Sequence, residues 1–461
     1  MQRLLAIAWL TWKAALRFRL FLVITALLLA AVVGLPILIK DDGTARGFTQ
    51  ILLAYTLSTI TALLGLSTLW LACGTLARDI EECQIQMVAV KPIARWQIWL
   101  GKWLGIVSLN AALLAISGLS IFVLLQWRST KLSPDEQRIL HNEVLISRGS
   151  AKEASVDAEI ESDTERYLKE RLQRTQVTQL DVKLLRQQIK EGIKAQYQLV
   201  PPGMSRRWQI DLGLAKQFLK NEPLYLRVKF NAAEKSPSGT FTGLWRVGVP
   251  DSKRIWVSEP MSLAPDTFHE FAIPANLIDD KGVVTIDFGN LNNTALIFPL
   301  DEGMEVLYRE AGFGLNFVRG LGIIFCWMAV LATLGLAMAS FLSFPVAALA
   351  SLTALVMALF SGTMANAVAE GTVMGVDEES GKVGHSLVDA VVIPIFRAAL
   401  TVINLAKDFS PIDSLSTGRS ISWEQLGHAI AQIVLFLGGI IGVFGVWSFT
   451  RRELATAQNQ S

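Results

Sequence analysis

Cysteine is almost missing from this chain. Its 461 residues hold three, Cys73, Cys83 and Cys326, all in or beside apolar blocks. No disulfide framework can be built from them, and no paired spacing suits a structural zinc. The four histidines, His141, His269, His385 and His428, stand apart, so no metal site is expected. Charge is scarce at 18% of residues, against an ordinary ~25%. Lys+Arg 42 set against Asp+Glu 40 leaves a net charge of +2, which gives no bulk field for nucleic acid or an acidic polymer. A phosphate-cradling Walker A loop is lacking as well. The two Gly-Lys candidates, Gly101-Lys102 and Gly381-Lys382, run on into Trp103 and Val383 without the upstream glycine pattern. Gly384-His385-Ser386-Leu387-Val388 starts like a nucleophile elbow, but Val388 replaces the glycine that the sharp turn needs. No catalytic residue, metal or cofactor is therefore expected in this chain.

Apolar residues are plentiful at 52%, and they gather at the two ends. About 20 consecutive apolar residues cross the hydrocarbon. Six stretches qualify, near 20–39, 51–75, 103–126, 320–342, 346–368 and 426–449, the fourth and fifth parted only by Ser343-Phe344-Pro345. Trp9, Trp12, Lys13, Arg17 and Arg19 precede the first stretch. They predict an interfacial amphipathic helix leading into a retained span, not a cleaved signal peptide. Ten Lys/Arg of the short loops and tails fall on one side against six on the other. By that bias both termini are cytoplasmic, residues 127–312 lie outside, and the chain is multi-pass in the plasma (inner) membrane, surrounded by lipid. The span centres contain no Asp, Glu, Lys or Arg. Ion-coupled transporters need such groups on their path, so the energy for any transport must come from elsewhere. Thr56, Thr59 and Ser67 in the second span offer a polar substrate path, although small and hydroxyl residues more often serve helix packing. Gly438-x-x-x-Gly442 reads the same way, as a packing motif first.

The insert divides at Pro201-Pro202-Gly203. Residues 127–200 are polar with helical spacing, carrying Glu165/Lys169 and Glu170/Arg174 pairs at i,i+4. They predict two or three helices. From 201 to 312 the period switches to two, as in Trp208–Leu212, Leu224–Phe230, Gly243–Val249 and Val283–Phe288. Seven or so short strands predict a β-sandwich, vaguely similar to jelly-roll carbohydrate-binding modules. Trp208, Trp245 and Trp256 offer a ligand platform for sugar stacking, while core packing is the commoner fate of a strand Trp. Asp287, Asn290, Asn292 and Asn293 carry oxygens of the kind Ca²⁺ takes, but Asn of this spacing is better read as turn-forming. The expected architecture is thus a polytopic α-helical membrane protein of six transmembrane helices, with an extracytoplasmic α + β insert ending in a sandwich.

Between the second and third stretches the chain reads Gly74-Thr-Leu-Ala-Arg78-Asp79-Ile80-Glu81-Glu82-Cys-Gln-Ile85-Gln86-Met87, then Val88-Ala-Val-Lys91-Pro92-Ile-Ala-Arg95-Trp-Gln-Ile-Trp-Leu-Gly101-Lys102. This is a short charged helix, a proline break and a second helix start. The string resembles the inner loop of ABC-2 type permeases. It is most similar to the branch with the permeases for nitrous-oxide reductase maturation and gliding motility. The resemblance covers about residues 1–126 and 313–461, including the Pro411-Ile412-Asp413 to Trp423 run before the last span. An outer loop of about 369–424 is expected there, with a re-entrant or surface helix.

That resemblance implies a coupling helix within a cytoplasmic loop of about 77–100, seated in a groove of a separate ATPase subunit that carries ATP and Mg. Arg78, Asp79, Glu81, Glu82, Gln86, Lys91 and Arg95 would set its register. Ile80, Ile85 and Met87 would anchor it. A second permease subunit, identical or a sister chain, is implied as partner. The expected function is the permease subunit of an ATP-driven ABC-2 type exporter. The competing reading is a membrane-anchored sensor or envelope-binding protein whose outside domain binds a ligand without transport.

Overall fold

A computed structural model describes residues 2–38, 44–82, 84, 93–140, 144–174, 179–213, 219, 222–234, 236, 238–250, 252, 254–373, 388–407 and 409–452. The chain forms two units. One joins Met1–Ile146 to Gly312–Ser461, and the other is Ser147–Ala311.

The first unit is helical: α1 Gln2–Ala15, α2 Arg19–Leu38, α3 Ala45–Glu81, α4 Arg95–Ser129 and α5 Pro134–Ile139 precede the second unit. The helices α3, α4 and, after the second unit, Phe313–Ala339 form its centre, sharing Leu57, Leu64, Ile121 and Ile324 in one core. Small residues let these helices approach, as membrane helices require. A Cβ on Gly105 would lie 2.7 Å from Thr11 Cβ of α1, one on Gly118 2.4 Å from a Leu321 methyl, and one on Gly335 2.6 Å from Ala72 Cβ.

Among the described residues six helices have the length and apolarity to cross a membrane, Arg19–Leu38, Gly47–Glu81, Arg95–Ser129, Phe313–Ala339, Asp389–Ala406 and Trp423–Arg451, and a bent pair would make a seventh if it counts as one span. This set differs from expectation at the fifth position. The stretch 346–368 is not one straight span but Phe344–Leu359 bent by 67° against the helix that starts at Ser361. The Ser361-Gly362 pair follows directly on the bend, where the helical ladder is weakest. The helix from Asp389, in the expected outer loop, is apolar enough to count as a sixth.

The second unit holds α6 Asp157–Arg174 and α7 Gln179–Gln198, which follow strand β1 Ile146–Ala151. That strand corrects the purely helical reading of 127–200, and α4 takes residues 127–129. Arg186 bridges Glu161 and Glu165 between the two helices. Antiparallel strands follow: β2 Leu199–Val200, β3 Ser205–Asp211, β4 Leu224–Val228, β5 Asn231–Ala232, β6 Phe241–Gly248, β7 Ile255–Val257, β8 Met261–Leu263, β9 His269–Ile273, β10 Val283–Asn290, β11 Leu296–Ile297 and β12 Met304–Gly312. They make open sheets in the orders β1-β12-β4-β9, β3-β10-β6-β7 (with β8 also on β6) and β2-β11-β5. Alternate residues of the two larger sheets share one core around Trp245, Phe288, Leu226 and Val306.

The remaining helices return to the first unit: α8 Phe313–Ala339, α9 Phe344–Leu359, α10 Ser361–Glu370, α11 Asp389–Lys407, α12 Pro411–Ser416 and α13 Trp423–Ala429. A π-helical stretch Ile430–Leu437 then continues into α14 Gly438–Arg451. Val373 N–H donates to Asp389 Oδ1 at 3.0 Å, so the end of α10 and the start of α11 meet in a hairpin. The last helix ends beside the start of α4, at the same end of the bundle as α1.

Candidate functional site

The loop of greatest interest leaves α3 at its last turn and re-enters at α4. Among the described residues, the helix ends here are tied into a closed ring. Lys102 of α4, 7% exposed, donates to Asp79 Oδ2 at 2.5 Å and to the Thr75 carbonyl at 2.8 Å. An ammonium beside Asp79, in the last turn of α3, also suits the negative end of that helix. Glu81 accepts the Phe344 N–H at 2.8 Å, satisfying an orphan donor at the start of α9. The Arg78 guanidinium lies 4.4 Å from the Phe344 ring centre and 5.0 Å from that of Phe18.

The ring closes through arginines on carbonyls. Arg95 Nη1 donates to the Thr450 and Arg452 carbonyls at 2.7 and 2.8 Å, capping α14. Arg452 Nη1 reaches the Ala339 and Ser340 carbonyls at 3.3 and 3.2 Å, capping α8. Lateral contact thus runs α4–α3–α9–α8–α14 and back to α4. Arg78, Asp79, Glu81 and Arg95, expected as contacts to a partner, are engaged inside the chain. Ile80 is half-buried against the core of this end. Glu82 is exposed and accepts from Gln84 at 2.6 Å. Ile85, Gln86, Met87 and Lys91 lie outside the described residues, as do Cys83 and the 384–387 stretch.

At the opposite end of α8, Asn316 Nδ2 donates to the Arg419 carbonyl and Asn316 Oδ1 accepts the Ile421 N–H, both at 2.7 Å. Arg319, 6% exposed, donates to the Ile421 carbonyl at 2.9 Å and lies 4.7 Å from the Trp423 ring. The Gly418–Trp423 run is thereby clamped onto α8. Asn316 and Arg319 were not singled out from sequence, and Lys102 was noted only in its Gly-Lys pair, although a polar residue near the end of an apolar helix is the signal that marks all three.

The three hydroxyls expected as a path sit differently. Thr56 is buried and donates to the Leu52 carbonyl at 2.5 Å, the back-bond a helical Thr makes when no other acceptor is offered. Thr59 is half-buried. Ser67 is buried, its hydroxyl without a partner among the described residues. None of the three lines the cavity of about 530 Å³ between α4 and α8, which is walled by Leu114, Gly118, Phe122, Phe317 and Leu321. Gly442 faces Thr333 and Trp99 of its own chain, a packing role.

In the second unit the tryptophan platform is corrected. Trp208 and Trp245 are 2% and 0% exposed, because strand alternation turns both to the inner face. Trp256 is half-buried beside Phe271. The asparagines are spent on a turn. Asn290 Nδ2 donates to the Val200 and Thr294 carbonyls at 3.0 and 2.9 Å, and Asn290 Oδ1 accepts from Asn292. Among the described residues no group of three or more His, Cys, Asp or Glu gathers. Charge pairs cross the four-stranded sheet instead: Arg148 to Glu270 at 2.5 Å, and Arg227 to Glu305 at 3.4 Å, with Ser150 also donating to Glu305. Burial pushes the Glu153 carboxyl up despite Arg206 at 3.7 Å, and lowers Arg206. No family model, no curated protein and no solved structure matches the chain.

Proposed function

We propose that this chain is the permease subunit of an ATP-driven ABC-2 type exporter, multi-pass in the plasma membrane with both termini cytoplasmic. It would work with a second permease subunit, and with a separate ATPase subunit that supplies ATP and Mg chemistry. The outer unit, read as a jelly-roll-like sandwich, would lie outside the cell. One observation carries the proposal. The segment that resembles a coupling helix is bounded by Glu81 and Arg95, and both are members of the closed ring of helix ends. A push on a segment so anchored reaches α3, α4, α9, α8 and α14 together, which is what converts an ATPase movement into a bundle movement.

The ring also sharpens the test. Glu81 caps α9, so its replacement injures the fold, whereas exposed Glu82 probes a partner without that injury. Co-expression with the ATPase encoded nearest to it, followed by ATPase measurement in nanodiscs, is the experiment. The expected result is a stable complex whose turnover falls in Glu82→Lys while its melting temperature holds. Absence of any complex with wild type would overturn the reading.

A further inference from the structure

We infer that the five-stranded sheet carries, on the face turned away from the core, a binding site for a small monocarboxylate. Strand alternation sends Trp208, Trp245, Val247, Ile286 and Phe288 inward. It therefore sends Arg207, Arg246, Thr285 and Asp287 outward. Register sets Asp287 opposite both arginines, Arg207 on β3 and Arg246 on β6. These side chains border a cavity of about 160 Å³, walled on its apolar side by Pro250 and Ile255.

Three features make this a built site and not a chance row of surface charge. Arg207 is held, with Nε and Nη2 forked onto the two Asp287 oxygens at 2.7 and 3.1 Å. Such a fork fixes the guanidinium plane. Because Asp287 is engaged there, the charge of Arg246 is unmatched, and Arg246 has no ion-pair partner among the described residues. Thr285 is 7% exposed and lines the cavity, and its hydroxyl has no hydrogen-bond partner among the described residues. The residue is nine-tenths buried while its hydroxyl opens on the cavity, so it offers a fixed donor to a ligand there. Opposite Thr285 stands Gly248 at φ +149°, where any Cβ would meet the Arg254 carbonyl oxygen at 2.2 Å. No side chain can fill the space beside the hydroxyl.

The charge count selects the ligand. Two guanidinium groups and one carboxylate leave the cup at +1, which one carboxylate neutralises. A dianion such as phosphate would meet Asp287 as well. Pro250 and Ile255 accept the short carbon body that carries the carboxylate. This site stands apart from the ring of helix ends and holds whether or not the chain is a transporter.

Saturation-transfer NMR with the full chain in nanodiscs tests it, using propionate as probe, with propanol and inorganic phosphate as comparators. Wild type should show saturable transfer to propionate and none to propanol. Arg246→Gln and Thr285→Val each remove one hydrogen bond to a charged group and should weaken propionate roughly tenfold or more. Both side chains face away from the core, so near-UV circular dichroism should stay unchanged in both variants. Equal propionate binding by wild type and Arg246→Gln, no saturable transfer in wild type, or tighter binding of phosphate than of propionate would each overturn the inference.

Discussion

Replacing Lys102 with Met tests the ring at its most buried ion pair. The side chains of Lys102 and Asp79 are 9% and 33% exposed. Removing one member of a fully buried pair costs about 3–5 kcal/mol, because the other charge stays without compensation. Asp79 is partly wet, so water recovers part of that loss. About 2–3 kcal/mol is therefore expected for Lys102→Met. The carboxylate left behind also sits at the last turn of α3, where the helix end is already negative. The reverse change, Asp79→Asn, strands an ammonium that the Thr75 carbonyl still accepts at 2.8 Å. The ammonium is the more buried of the two charges, so the cost should be at least as large, about 3 kcal/mol. The double variant removes both charges and should cost less than the sum of the single variants. Equilibrium unfolding of the bundle in mixed micelles, read for all four proteins, gives the coupling. A coupling below about 0.5 kcal/mol, or a clearly cheaper Asp79→Asn, refutes the account of how these helix ends are joined.

Three further outcomes follow from packing and charge. Gly105→Leu would drive a side chain into Thr11 and the Ala8 carbonyl, so α1 should detach and become sensitive to protease, while Gly34→Leu, with nothing within 4 Å, should behave as wild type. Glu305→Ala removes the shared acceptor of Ser150 and Arg227 from a site 3% exposed. The second unit should lose about 3–5 kcal/mol, and an unchanged midpoint in its tryptophan-fluorescence unfolding curve counts against the buried pair. Glu153 gives a pH effect. Its carboxyl is raised above 4.5 by burial, so the folded chain holds this proton more tightly than the unfolded one. The linked stability is full below that ordinary value and is lost as pH rises through the raised one. Glu153→Gln should therefore melt higher than wild type at neutral pH and no higher at pH 4, and the opposite order would show that Arg206 outweighs desolvation.

The long helices were legible because a run of 20 apolar residues has few alternatives. The bend after Leu359 was not, since Ser361-Gly362-Thr363 differs little from its neighbours in hydropathy. It acts only where neighbouring helices leave the ladder without support. The helix Asp389–Lys407 falls where a re-entrant or surface helix was expected, but its span-like length was hidden by Pro394 and Arg397, which break the apolar run without breaking the helix. In the second unit, alternation disclosed strands with apolar inner faces, such as Val283–Phe288. It missed β1, where Ser147, Arg148 and Gly149 carry no apolar period. Burial there comes from the Glu270 pair and from the Tyr308 ring lying over Gly149. Of the loop residues Arg78 to Arg95 expected to meet a partner, the described ones bond within the chain. Their internal partners stayed hidden, because Arg95 meets carbonyls more than 350 positions away, and no local pattern encodes that.

The two clamps on α8 limit how this bundle can move. Arg452 holds its last carbonyls, and Asn316 and Arg319 hold the Gly418–Trp423 run against its first turns. A helix fixed at both ends tilts with its neighbours more readily than it bends. The apolar windows of α3, α8 and α4 are 72%, 56% and 44% enclosed, against 22% for α2, 22% for the last helix and 17% for α11, and of these three only the last helix is tied to the block by Arg95 and Arg452. The first three form the stiff block, and α2 with the α10–α11 hairpin is the part with little to break on moving. If the ring of helix ends passes on a push, the stiff block must receive it as one body, and relative displacement must appear at α2 and α11. A disulfide engineered between α3 and α8 should then leave any transport cycle intact, while one that pins α11 to the last helix should stop it. Arrest by the first and tolerance of the second would place the moving boundary inside the block, and the ring would be a structural tie alone.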